Sequence, residues 1–382
     1  MVQDFGNETL PYGVFSTSDN PRPRIGVGLG TSIVDLSAAS DRLSTGLREL
    51  ANAEALTAFL HRDRSTWEEL HSAVGEIAAD PGDLVPQLGA TMHMPFQVAD
   101  YVDFYSSRQH AENVGRMFRP DDPPLLPNWL HMPIGYHGRS GTVVVSGTPI
   151  TRPHGQRRGE YGPSFGPSQR LDIELELGFV LGNSTHLGEP VPVDNAADHI
   201  FGVVLVNDWS ARDIQAWEYR PLGPFLGKSF ATSVSAWVTP YSRLTKAKPP
   251  VQDPTPLPYL QGGEGPLDLD LEVWLRPAAA DEPSQIGAVN AAQSLYWTPS
   301  QQVAHLTVNG ATIRPGDLIA SGTISGSERS EFGSLLEMSW NGTEPIEVGE
   351  VTRTFLENGD EVTLRGSVGG VVLGEVSGTV VA

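Results

Sequence analysis

The chain has 382 residues, with 41 glycines, 31 prolines and no cysteine. A formal net charge of −21 gives the wrong long-range field for nucleic acid or an anionic membrane surface, and the missing thiols exclude disulfides, thiolate metal sites and a cysteine nucleophile. The length allows a large core in two or three domains, rich in turns and leaning towards β-structure.

Residues 1–95 read as a separate small domain. Residues 11–15 and 24–30 predict two short strands joined by a proline-rich turn. Gly26, Gly28 and Gly30 recur at every second position, so they suit a hairpin and not a GxGxxG loop. Ser65, three residues before Glu68, predicts a capping box opening a helix with Trp67, Leu70, Val74 and Ile77 on its buried stripe. No basic segment precedes an apolar core at the N-terminus, and no apolar run is long enough to span a bilayer. A soluble cytoplasmic protein is the expectation.

From Asp103 to His110 polar groups crowd around an aromatic, and a strand there would put Asp103 and Tyr105 on one face. Taken alone, His110 reads as an ordinary hydrogen-bonded histidine, Arg119 as a solvated charge and Trp129 as core. Residues 152–170, made largely of Gly, Pro and Arg, predict a mobile surface loop. The central stretch, residues 171–232, gathers the most chemistry. In a strand over 171–180, Glu174 and Glu176 share one face while Ile173, Leu175 and Leu177 take the other. A helix from about Ser210 would align Arg212, Gln215 and Tyr219, with Asp208 at its entrance and Ile214 and Trp217 on other faces. The segment ending Gly227-Lys228-Ser229 has too few residues between its glycines for a P-loop.

Asp103, Glu174, Glu176 and Asp208 form an all-oxygen set suited to Ca²⁺ or Mg²⁺. Taken alone, the glutamate pair is better read as the wet face of an amphipathic strand, since alternating acids are common there. Four carboxylates and a divalent cation leave a charge of −2, which Arg212 and Lys228 could cancel. Further strands are expected over 267–275 and 318–320, and a short helix within 301–313. Residues 321–326 make a donor-rich turn, and 335–340 an apolar strand whose Glu337 would need a partner if buried. Residues 348–382 finish a sheet.

The blocks Asp103-Phe104-Tyr105-Ser106-Ser107-Arg108-Gln109-His110 and Asn207-Asp208-Trp209-Ser210-Ala211-Arg212-Asp213-Ile214-Gln215 closely resemble the fumarylacetoacetate hydrolase family. So do residues 171–176, 221–230, 321–326 and 10–15. The resemblance implies a mainly β (α+β) fold, with a small SH3-like N-terminal barrel (1–95) followed by a large mixed β-roll catalytic domain (96–382), in a homodimer. It implies Ca²⁺ or Mg²⁺ on Asp103, Glu174, Glu176 and Asp208, and a second, structural cation near Asp208, Lys228 and Thr232. His110 matches the general base and Glu337 its orienting carboxylate. Arg212, Gln215 and Lys228 match the groups that receive negative charge, and Tyr105, Arg119, Tyr136, Tyr219 and Thr323 the substrate-binding set. The implied activity is hydrolysis of the carbon–carbon bond of 4-fumarylacetoacetate, a dianionic β-diketo acid, to fumarate and acetoacetate in tyrosine and phenylalanine catabolism. The alternatives are an acylpyruvate or other β-diketo acid hydrolase, and a non-catalytic, cation-stabilised binding module.

Overall fold

The computed structural model describes residues 2–369 and 371–382. Strand β1 (Tyr12–Ser16) pairs antiparallel with β2 (Arg24–Leu29), and β2 with β3 (Ser32–Asp35), as alternation and glycine punctuation predict. Helix α1 (Arg64–Ala79) buries Trp67, Leu70, Val74 and Ile77. Its cap differs from the expectation: the Asp63 carboxylate, and not Ser65, accepts from Thr66 N at 3.0 Å. An ionised carboxylate at that position also complements the helix dipole, which a serine hydroxyl does not.

Next in the chain come β4 (Tyr101–Phe104), α2 (Arg108–Phe118), β5 (Gly135–His137), β6 (Leu175–Leu181), β7 (Ile200–Asn207) and α3 (Arg212–Glu218). They are followed by β8 (Thr232–Val234), β9 (Trp237–Pro240), β10 (Asp270–Arg276), β11 (Ser284–Asn290), α4 (Pro299–Thr307) and β12 (Leu318–Ala320). The four-residue α5 (Leu335–Met338), β13 (Glu361–Val368) and β14 (Val376–Val381) follow towards the C-terminus. The main sheet runs β3-β2-β1-β9-β7-β6-β12-β4-β5, so the N-terminal strands join the central ones through β1 and β9 at Tyr12↔Val238. A second sheet has the order β11-β10-β13-β14. The whole is a sheet-dominated α+β fold.

Strand β6 is buried along its full length. Leu175, Leu177 and Phe179 pack in one cluster with Leu271, Val273 and Leu275 of β10, while Val180 joins Val204, Val206 and the N-terminal residues in another. Each such apolar side chain contributes roughly 1.5–3 kcal/mol by leaving water. Register then does the rest. Asp103 lies opposite Ala320 of β12, Gly178 of β6 also pairs with Ala320, and Leu175 faces Asn207 at the end of β7. Asp103, Glu176 and Asp208 therefore come from one end of nearly adjacent strands.

Two expectations about local structure are corrected. Residues 152–170 contain an antiparallel hairpin, His154–Arg158 against Pro163–Pro167, and are not a featureless loop. It sits on α3: a Cβ added at Gly155 would lie 2.7 Å from Ile214 Cδ1, so the absent side chain permits the contact. Residues 335–340 hold α5 and not a strand. Among the described residues, no helix is long and apolar enough to cross a membrane.

Candidate active site

Four carboxylates meet at the strand ends. Asp103, Glu174, Glu176 and Asp208 are all buried, and each offers an oxygen such that the four atoms lie within 4.8 Å of one another. The solvated-strand reading of the glutamate pair is thereby overturned. Two cations brace the group: Arg212 Nη1 lies 2.8 Å from Glu174 Oε1, and Lys228 Nζ bonds both Glu174 and Asp208, the latter at 2.8 Å. Thr232 Oγ1 and Tyr136 Oη donate to the two oxygens of Asp208 at 2.7 and 3.2 Å. Among the described residues, Asp103 Oδ1 and both oxygens of Glu176 have no hydrogen-bond partner. Such buried, bare acceptors are costly unless a cation or a proton serves them.

The electrostatics divide along the same line. Burial pushes the Asp103 and Glu176 carboxyls well above the usual carboxylate range, and neighbouring carboxylates add to it. Burial also raises Asp208, only partly offset by Lys228. Glu174 goes the other way, because Lys228 and Arg212 together outweigh burial and hold it ionised. Three acids that resist ionising in a cluster with bare oxygens fit a divalent cation, and the oxygen-only donor set fits a hard one.

His110, on the buried side of α2, reaches Glu337 across the site: Nδ1 and Oε2 are 2.7 Å apart. Glu337 Oε2 also accepts from Ser325 Oγ and Ser334 Oγ at 2.8 Å, and Oε1 accepts from Asn113 Nδ2 at 2.9 Å. Burial raises this carboxyl, but His110 and these donors outweigh it and hold Glu337 below its ordinary value. An ionised Glu337 fixes the proton on Nδ1 and leaves the Nε2 lone pair free. The Tyr105 ring meets the imidazole edge-on at 5.3 Å.

Behind both groups sits Asp172, which the sequence reading did not single out. Its Oδ2 accepts from Arg212 Nε at 2.8 Å and from Leu336 N at 3.0 Å, while Oδ1 accepts from Leu335 N at 2.8 Å and Ile173 N at 2.7 Å. One fully buried carboxylate thus ties the arginine to the first turn of α5, which carries Glu337. Asn113 and Ser334 were missed as well, and Ser325 was noted only as part of the donor-rich turn over 321–326. Of the two missed, only Ser334 carried a signal, its capping position three residues before Glu337.

A cavity of about 410 Å³ opens onto these groups. Asp103, Glu174, His110, Arg212, Gln215 and Lys228 line it, as do Tyr105, Arg119, Tyr136, Tyr219 and Thr323. Glu337 stands behind His110, and Glu176 completes the carboxylate cluster from outside the lining. Asp208 and Thr232 face a second cavity of about 440 Å³, with Tyr136 and Lys228 on the wall between the two. The helix-face alignment expected for Arg212, Gln215 and Tyr219 is present, although the helix starts at Arg212, because Ser210 and Ala211 pair with residues 171 and 172. Ile214 is buried and Trp217 is exposed. Arg119 is not a solvated charge: it lines the cavity, Nη2 donates to Pro124 O at 3.0 Å, and its buried Nε has no partner. Arg212 Nη2 and Thr323 Oγ1 are likewise buried and unpartnered.

The sequence matches two family models: "Fumarylacetoacetase N-terminal" over residues 8–95 and "Fumarylacetoacetate (FAA) hydrolase C-terminal" over residues 100–381. The fumarylacetoacetases of Rattus norvegicus and Homo sapiens are each 49% identical to it over 386 aligned residues, covering 95% of this chain and 92% of theirs. That of Arabidopsis thaliana is 46% identical, with 95% and 91% covered. Among solved structures, the maleylpyruvate hydrolase of Sphingobium sp. SYK-6 shares the fold, with a TM-score of 0.56 at 16% identity over 97% of this chain and 99% of that one. Matched across almost its whole length, the chain belongs to the fumarylacetoacetate hydrolase family.

Proposed function

We propose that the protein hydrolyses the carbon–carbon bond between the two carbonyl-bearing halves of 4-fumarylacetoacetate, releasing fumarate and acetoacetate as the closing step of tyrosine and phenylalanine breakdown. The observation that carries this reading is the pairing of opposites around one cavity. Bare buried acceptors on Asp103 and Glu176 call for a cation, and bare buried donors on Arg119, Arg212 and Thr323 call for an anion. A passive binding module would have no use for the additional His110–Glu337 pair.

Asp103, Glu174, Glu176 and Asp208 would hold Ca²⁺ or Mg²⁺. When bound, such an ion supplies Lewis-acid polarisation of a substrate oxygen and a template for its placement. The protein's own residues account for the remaining steps. His110 Nε2 takes a proton from the attacking water as its oxygen adds to the carbonyl carbon, and Glu337 steadies the resulting imidazolium. The carbon–carbon bond then breaks with its electron pair going to the leaving half, an enolate, which recovers a proton from the imidazolium. Arg212 Nη2, the Gln215 amide and Lys228 offer donors to the oxyanion that forms when water adds, and losing one such donor typically costs roughly 2.7–4 kcal/mol. Arg119, with Tyr105, Tyr136, Tyr219 and Thr323, would grip the terminal carboxylates.

We also propose a homodimer, a cytoplasmic setting, an SH3-like N-terminal unit over 1–95, a β-roll over 96–382 and a second cation near Asp208. Lys228 Nζ is a donor there, so carbonyl and hydroxyl oxygens, Thr232 Oγ1 among them, would have to serve that ion. The test is to follow the diketone absorbance of 4-fumarylacetoacetate with pure protein and to identify fumarate and acetoacetate as products. A panel of acylpyruvates on which turnover is faster would transfer the assignment to that substrate class.

A further inference from the structure

Outside the catalytic cavity lies a wider cleft of about 900 Å³. Its walls include Arg157 and Arg158 of the hairpin, Arg170 beyond it and Arg220 after α3. Four guanidiniums face it with a single carboxylate, Asp213, in a chain whose overall formal charge is −21. Among the described residues, Arg157 is the only one of the four in an ion pair, a loose one at 3.5 Å from Asp213, and its Nε is buried without a partner. Asp213 is already occupied by Ser168 Oγ at 2.6 Å and Gln169 N at 2.8 Å. Arg170 donates to the neutral amide of Asn341 at 3.0 Å, and Arg220 lies 5.3 Å over the Tyr219 ring. Arg158, Arg170 and Arg220 thus carry positive charge that no carboxylate among the described residues answers with an ion pair.

The cleft abuts the catalytic cavity. The two share Phe118, Ala216 and Tyr219 as a common wall, so an anion held among the arginines lies beside the catalytic groups. We infer that the cleft is an outer subsite which collects the dicarboxylate substrate by its charge and delivers it past Tyr219. This inference rests on the function proposed above. The physical need is plain: a dianion approaching a protein of −21 is repelled at long range, and a local patch of opposite sign overcomes that field. Guanidiniums suit carboxylates because their paired N–H groups match both oxygens.

The test uses R158Q/R170Q, which removes two exposed charges that are in no ion pair among the described residues; the side chain of Arg170 meets Asn341 and Phe355, and neither is placed in the catalytic machinery. At an ionic strength of about 0.01 M, where screening is weak, kcat/KM should fall about tenfold while kcat stays within about twofold. The unaltered enzyme should lose that advantage as salt is added, and the two should converge near about 0.5 M. Calorimetric titration with fumarate should find an additional weak site in the unaltered protein that the variant lacks, a readout independent of turnover. Equal kcat/KM with equal salt slopes, or identical fumarate isotherms, would overturn the outer subsite. So would a variant whose only change is its oligomeric state, which would assign these arginines to an interface between copies. Absence of turnover by the unaltered enzyme would instead count against the proposed function, and the fumarate titration would still decide the cleft.

Discussion

Two buried carboxylates, Glu337 and Glu176, sit in the same site in opposite conditions. Glu337 receives four donors from His110, Asn113, Ser325 and Ser334, and is held ionised. Glu176 receives none, and burial together with Asp103 resists its ionisation. The first is complete within the chain, so it can act as a fixed orienting charge. The second is incomplete without something the chain does not supply. A hydrolase of this kind needs both: a rigid base–orienter pair, and a pocket of negative charge kept for a cation.

Replacing His110 gives the largest expected effect. His110→Ala should lower kcat by about 10²–10⁴, the usual range for a general base, while fumarate binding measured by calorimetry stays near the unaltered value. An undiminished kcat would remove His110 from the role.

The carboxylates themselves should separate next. Glu337→Gln puts an amide NH₂ among donors, so it should lower both kcat and the thermal midpoint, with a stability loss of about 3 kcal/mol, whether or not a cation is present. Glu176→Gln replaces a carboxyl that already favours its neutral form, so the cation-free midpoint should hold or rise. The rise on adding Ca²⁺ should disappear. The pH dependence follows from the same shifts. Asp103, Glu176 and Asp208 have raised folded pKa values, so what they contribute to cation-free stability is full below the unfolded carboxylate pKa and is lost as pH rises through the folded ones. A cation should therefore raise the midpoint more at about pH 7 than at about pH 4. Equal rises at both, or matching behaviour of the two glutamine variants, would break the contrast.

A smaller effect is expected at Asp172. Asp172→Asn should keep the fold but loosen Arg212 and the start of α5, lowering kcat roughly tenfold with little change in KM, because the group acts through donors used in the transition state. Unchanged kcat would mean that the other contacts of Arg212, to Glu174 and Gln215, suffice.

The glutamate pair was legible because extended chain alternates its side chains, although the strand expected over 171–180 breaks at residues 173 and 174, so that Glu174 precedes β6 and Glu176 lies within it. Arg212, Gln215 and Tyr219 were legible for the parallel reason on a helix. Whether those acids were wet or buried was not, since that depends on Asp103, Asp208, Arg212 and Lys228 converging on them from elsewhere in the chain. Residues 335–340 were misread because α5 is a four-residue helix, too short for any periodicity to register. Asp172 left no mark, because its partners Arg212 and Leu335 lie 40 and 163 positions away. The hairpin at 154–167 was hidden by its own composition: glycine at position 155 reads as a loop signal but serves contact with Ile214.

The most direct measurement follows diketone absorbance with pure protein before chelation, after exhaustive chelation, and after returning Ca²⁺ or Mg²⁺. Turnover that stops on chelation and returns with the ion is the expected result. Full turnover by the chelated protein, with products verified as fumarate and acetoacetate, would contradict the account of the four carboxylates.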